Sequence, residues 1–230
     1  MKEISSKEPV EQAPRKESEG VEFPARSFAR IHGAQEPNKT DIETVKPEVV
    51  LLASRIEYIG NIKNVDPADI KEAQEMLIRS YDSIKENAET PVEHKVAETL
   101  ESLIQSNKVV LCDCKDICGK DAFGFFYSGK EPYIAIDLNH ALDYGTAELV
   151  DTLFHQGYHA AQHTAGNKND RLKEETRAWN IGLDMSNKYR KEHGETISRT
   201  RPYTEHEISE MGDANSGGGK GFTEIYNQAQ

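Results

Sequence analysis

Apolar residues along this chain follow two periods. From residue 66, "DPADIKEAQEMLIRSYDSIKENAETP" repeats at helical spacing, with Ile70, Ala73, Met76, Leu77, Tyr81 and Ile84 along one stripe. Asp66 suits the N-cap and Pro67 the first helical position. "VEHKVAETLESLIQSN" predicts a second helix, with Val96, Leu100, Leu103 and Ile104 on one face. The period then shortens. "KVVLCDC", "GFFYSG" and "PYIAIDLN" are short β-branched or aromatic runs between turn residues, and predict three strands. Helical spacing returns in "TAELVDTLFHQGYHAAQHTAG", with Thr146 as the expected N-cap and Gly166 as the stop, and again in "DRLKEETRAWNIGLDMSNKYRKEHG", closing at Gly194.

The flanks are different. Residues 1–40 are rich in Glu, Lys, Ser and Pro and bury too little apolar surface to offset chain entropy, so a disordered tail is expected there. Within it, "VEFPARSFARIHG" is a small island able to dock on the body or on a partner. Structure is expected to begin near "KPEVVLLASRIEYIGNI", as a helix with Pro47 in its first turn. Residues 206–230, with "NSGGGKG", read as a flexible C-terminal tail. One α+β domain over residues 41–205 is therefore expected: N-terminal helices, a small antiparallel sheet, then two long helices. No internal repeat is visible.

Composition adds exclusions. Of the 230 residues, 36% are hydrophobic and 30% charged, with a formal net charge of −12. So acidic a chain repels phosphate backbones, which argues against nucleic acid as a partner. No apolar run approaches the ~20 residues needed to span a bilayer, and the N-terminus has no apolar stretch of the Sec signal type. Cys112, Cys114 and Cys118 fall together in "CDCKDIC", without the paired C-x2-C knuckles of structural zinc. Reduced thiols at a strand end, in a cytoplasmic protein, are the expectation.

The chemistry concentrates in "FHQGYHAAQH". On a helix His155 and His159 stand one turn apart on one face. That spacing lets two imidazole nitrogens reach one ion at about 2.0–2.1 Å. Catalytic zinc takes three protein ligands and keeps a position for water. The third is expected from the following helix, where Glu174 and Glu175 stand in "EETRA" after a short connection. Glu175 is preferred, because Ala178 beyond it allows close helix approach, and Glu174 is the alternative. His163 lies a further turn away, too far to share one ion with the other two, and reads as a surface residue or a support to the ligands. Trp179 is expected to pack beside the site, His140 to be solvated at a cleft rim, and His206 and Glu207 to carry little weight. The run "PYIAIDL", just before the histidine helix, is expected to act as a peptide-binding edge strand.

"HQGYH" followed by "EETRA" resembles the gluzincin class of zinc metallopeptidases, whose motif is H-E-x-x-H with a downstream glutamate ligand. More narrowly, "LKEETRAWNIGLDMSNKYRKEHGETISRTRPY" is similar to the stretch after the zinc helix in secreted effector zinc proteases of bacterial type III systems. The resemblance covers roughly residues 130–205 and implies a zincin-like fold, one Zn2+ on His155, His159 and Glu175, and a protein or peptide substrate. It further implies that Tyr203, with Arg199 or Arg201, donates to the oxyanion of the tetrahedral intermediate. An effector role would place the protein in a bacterium first and in a host cytosol later.

One residue departs from the pattern: Gln156 occupies the position of the general-base glutamate. An amide cannot shuttle a proton, and general acid–base catalysis is worth ~10²–10⁴ in rate, or about 3–5 kcal/mol. Hydrolysis is expected to fall to a trace while metal and substrate binding persist. Either an inactivated peptidase or a natural pseudoenzyme that binds peptide through an intact zinc site accounts for this. A metal-free helical interaction domain is the alternative from another class.

Overall fold

The computed structural model describes residues 51–60, 65–114, 123–166 and 171–211. The expected disordered tail over 1–40, the island within it, Pro47, Cys118 and most of the C-terminal tail lie outside the described residues.

Residues 51–53 end a helix, and strand β1 follows at Glu57–Ile59. Two long helices come next, α1 (Pro67–Glu86) and α2 (Pro91–Gln105). The Asp66 carboxylate accepts from the Ala68 N–H and Pro67 opens α1, the cap chemistry visible in the sequence. At α2, Thr90 and Glu93 form a reciprocal capping box. Strands β2 (Val109–Cys112), β3 (Gly124–Tyr127) and β4 (Tyr133–Asp137) occupy the three runs expected to be extended. After β4 come a short helix α3 (Leu138–Tyr144), then α4 (Thr146–Thr164), α5 (Arg171–Glu192) and α6 (Glu205–Met211).

The α+β class holds, but the sheet is mixed rather than antiparallel. Its order is β1-β2-β4-β3; β1, β2 and β4 run parallel, and only β3 pairs antiparallel, with β4. Parallel neighbours need a long crossover, and α1 and α2 provide the one between β1 and β2. All four residues of β2 are buried, as suits an interior strand covered on both faces. β1 replaces part of the helix expected around "ASRIEYIGNI", since its three residues are too short to show alternation. β4, expected as an edge strand, is interior, and the edge beside α4 is β3.

The sheet sorts its side chains by parity. Val109, Leu111, Ile134 and Ile136 join the main core, where Leu77, Tyr81, Val96, Leu100, Leu153, Phe154 and Tyr158 pack from α1, α2 and α4. Val110, Cys112, Phe125, Tyr133 and Ala135 form a second, smaller cluster on the opposite face.

α4 runs through the middle, so most of its faces are buried. Its N-cap is Gly145 at φ +83°, not Thr146, which becomes the first helical residue. The turn from α3 into α4 takes a positive φ at this position, and glycine supplies it. Pairings between α4 and α5 run in opposite senses: His159 with Glu174, His155 with Glu175, Asp151 beside Gly182, Glu148 with Arg190. The two helices are therefore antiparallel. At Gly182 a Cβ would collide with the Asp151 carboxylate and stand 3.0 Å from its carbonyl oxygen, so the close crossing requires glycine.

α6 extends past the expected domain end at 205, and its Ile208 is buried.

Candidate metal centre

Three donors converge between α4 and α5. His155 Nε2 lies 3.1 Å from His159 Nε2 and 3.4 Å from Glu175 Oε2, and His159 Nε2 lies 3.3 Å from Glu175 Oε1. Two donors at about 2.0–2.1 Å from an ion, subtending a tetrahedral angle, stand about 3.3–3.4 Å apart. The separations here, 3.1–3.4 Å, lie near that span, with each imidazole meeting a different oxygen of Glu175. Among the described residues this is the group of His, Cys, Asp and Glu side chains close enough to hold one metal ion, with ligand atoms within 4.8 Å of one another.

The antiparallel crossing explains the geometry. His155 and His159 project from successive turns of α4, and the facing turn of α5 presents Glu175 between them. Glu174, the neighbouring residue, is turned to the other ring nitrogen: its Oε1 lies 3.1 Å from His159 Nδ1. A carboxylate on the distal nitrogen fixes the tautomer and orientation of a metal-binding imidazole and raises its basicity. The glutamate pair thus divides its work by side-chain direction, with Glu175 in the donor group and Glu174 behind it.

The electrostatics call for a cation. His155 is 3% exposed, and burial lowers its pKa. At His159 burial acts the same way, but bonds to Glu174 and Glu175 outweigh it and hold the pKa near 9. Burial would raise Glu175, and the two imidazoles overcome that and hold its carboxyl well below the usual range. Two carboxylates against two imidazoles therefore retain either an extra proton or a metal ion. The donor set, two imidazole nitrogens and a carboxylate, is one that zinc accepts.

Gln156 is 4% exposed, follows His155 and precedes His159 by three residues. Its Nε2 donates to the Gly124 carbonyl oxygen of β3 at 3.4 Å. Among the described residues its buried Oε1 has no hydrogen-bond partner, which leaves an acceptor to be satisfied.

The other sequence-derived candidates separate clearly. Trp179 packs edge-on to His155, with centroids 5.0 Å apart. Tyr203 packs in turn on Trp179 at 5.7 Å. Arg201 is exposed and pairs with Glu207 at 2.7 Å, so the structure does not bring it to the donors. Arg199 lies over the Tyr203 ring, 4.0 Å from its centroid, and also pairs with Glu207, at 2.9 Å. His163 is exposed and contacts Phe126 edge-on at 5.6 Å. His206 is exposed on α6.

His140, expected to be solvated, is instead 3% exposed, stacked on Phe123 with centroids 4.2 Å apart and 3.0 Å from the Thr152 hydroxyl. The short helix α3 turns it inward, and burial pushes its pKa down to about 4.

Cys112 and Cys114 are buried, their sulfurs 3.4 Å apart. Burial and the neighbouring sulfur hold the Cys114 thiol protonated.

One contributor, Asn180, escaped the sequence reading, and another, Glu207, was expected to carry little weight. Asn180 brackets the Tyr203 backbone, accepting from its N–H at 2.6 Å and donating to its carbonyl at 3.0 Å. Glu207 accepts from the Thr204 N–H, while its own N–H donates to the Thr204 hydroxyl. That T-x-x-E spacing was a readable helix-start signal in "TEHE".

No family model, curated protein or solved structure matches this chain. The likeness to gluzincins rests on the motif residues alone.

Proposed function

We propose that this chain is a zinc-binding protein of the gluzincin type, with a zincin-like arrangement that holds one Zn2+ and a polypeptide segment, and in which Gln156 reduces peptide hydrolysis to a trace. The observation that carries the reading is the convergence of His155, His159 and Glu175 close enough to hold one ion, with Glu174 backing His159. Zinc bound there would supply Lewis acidity and a lowered water pKa.

The chain's own residues define the rest. His155 and His159 offer their Nε2 atoms, and Glu175 offers carboxylate charge. Gln156 holds the Gly124 carbonyl at the β3 edge and contributes a fixed acceptor, but no titratable proton. β3 is an edge strand beside α4, which suits pairing with an extended peptide.

Elemental analysis should find about one zinc per chain. A protein that stays metal-free after reconstitution rejects the reading. Gln156→Glu should raise hydrolysis of a denatured protein substrate by ~10²–10⁴. If that variant cleaves nothing while still binding zinc, the protein is a binding module rather than an inactivated peptidase.

A further inference from the structure

The metal ligand His155 is the first member of a continuous stack. Its ring meets the edge of Trp179 at 5.0 Å and 74°, and Trp179 meets Tyr203 at 5.7 Å and 63°. The Arg199 guanidinium covers Tyr203 at 4.0 Å. Glu207 grips Arg199 through two contacts, at 2.9 and 3.0 Å, and Arg201 through two, at 2.7 and 3.4 Å. The segment carrying Tyr203 is pinned at three places on α5: by Asn180 on both sides of Tyr203, by Asn187 on the Arg199 carbonyl, and by Arg190 on the Thr196 carbonyl.

We infer that the segment from Thr196 to α6 is a brace for the metal centre, and that Tyr203 and Trp179 are positioning residues which set the His155 ring through aromatic contact. A ligand imidazole has two torsions to fix. The Glu174 carboxylate helps to set the plane of His159, and Trp179 packs on the His155 ring at 5.0 Å and helps to set that one. Edge-to-face aromatic pairs are directional, so displacing Trp179 rotates the preferred plane of His155. The tyrosine acts here through its ring, since its neighbours on this path are the Trp179 indole and the Arg199 guanidinium. This differs from a hydroxyl that donates to a reacting oxyanion. Burial raises the Tyr203 pKa, so the phenol stays neutral and the ring contact persists across ordinary pH.

The inference rests on the zinc reading, and its test separates the two. Zinc affinity of the full chain is measured by chelator competition, with the visible spectrum of the Co2+-loaded protein as a report on ligand geometry. Tyr203→Ala and Trp179→Leu should each weaken zinc ~10-fold or more and shift the Co2+ bands, while Tyr203→Phe should bind as wild type does. A parallel readout uses metal-free protein labelled with 15N-histidine. The His155 imidazole signals should move in Tyr203→Ala and stay in Tyr203→Phe. If wild type takes no zinc, the metal reading falls, and these signals alone decide the brace. Wild-type affinity, spectrum and imidazole signals in Tyr203→Ala overturn the inference, and so does Tyr203→Phe matching the loss in Tyr203→Ala. Should Tyr203→Ala fail to fold, Glu207→Gln replaces it. Releasing Arg199 and Arg201 at the surface should weaken zinc about 2- to 5-fold, and unchanged affinity there overturns the brace.

Discussion

Replacing Glu175 and Glu174 one at a time with glutamine probes the division of labour between them. The amide keeps each side chain's size, so packing between α4 and α5 is preserved. Glu175 offers both oxygens to the imidazole pair, at 3.3 and 3.4 Å, and its loss removes the anionic member of a three-donor set. In four-ligand structural zinc sites, binding of about 10–16 kcal/mol amounts to about 2.5–4 kcal/mol for each ligand, so Glu175→Gln should weaken zinc by ~10²–10³. Glu174 stands outside the donor group and would act through His159 Nδ1, 3.1 Å away. Removing such a support weakens metal binding by ~10–100-fold, or about 1.4–2.8 kcal/mol. The smaller half of that range applies, because the glutamine carbonyl still accepts from Nδ1. Competition with a chromophoric chelator on the full-length chain measures both. Equal losses, or a greater loss in Glu174→Gln, would refute the ligand assignment drawn from side-chain direction.

Three further outcomes follow. Stripping zinc from protein held at 100 times its Kd should remove about 2.7 kcal/mol and lower Tm by roughly 5–11 °C in a scan with and without chelator; an unchanged Tm would mean that no ion was bound to the folded state. His140 should make the fold acid-sensitive. Its pKa is about 4 when folded against 6.5 when free, so the unfolded chain binds the extra proton between those values. Its stabilisation is complete above pH 6.5 and is lost as pH falls through 4, by about 3 kcal/mol. Denaturant titrations at pH 7 and pH 4 should differ by that much more in wild type than in His140→Gln, and an equal difference in the two proteins would discount His140. Gly182→Ala should destabilise by about 1–3 kcal/mol despite the ~1 kcal/mol that alanine adds to helix propensity, because its Cβ meets the Asp151 carboxylate and backbone. A rise in Tm for this variant would show that α4 and α5 can separate at no cost.

Local chemistry made much of the fold legible. Asp66-Pro67, the helical stripe from Ile70 to Ile84 and the runs that became β2, β3 and β4 each carry their signal within a few residues. Other features need information from far along the chain. "VVLC" and "YIAID" are buried on both faces, and such runs look the same whether their neighbour is parallel or antiparallel, so the mixed sheet and the interior place of β4 were hidden. β1 was too short to display a period. His140 reads as a loop residue until α3 turns it onto Phe123.

The histidine spacing in "HQGYH" is itself a statement about geometry, because a helix puts residues four apart on one face wherever it lies. The sequence by itself thus determined that two imidazoles could share an ion, and that Gln156, between them, brings no proton to shuttle. It favoured Glu175 through Ala178 but left Glu174 as an alternative. Adjacent residues on a helix point about 100° apart, and which of them faces His155 depends on the crossing that Gly182 and Asp151 permit. Only the tertiary structure decided that, and only it joined Tyr203 to His155 through Trp179, because contacts between helices are set by packing across the whole core rather than by any local repeat.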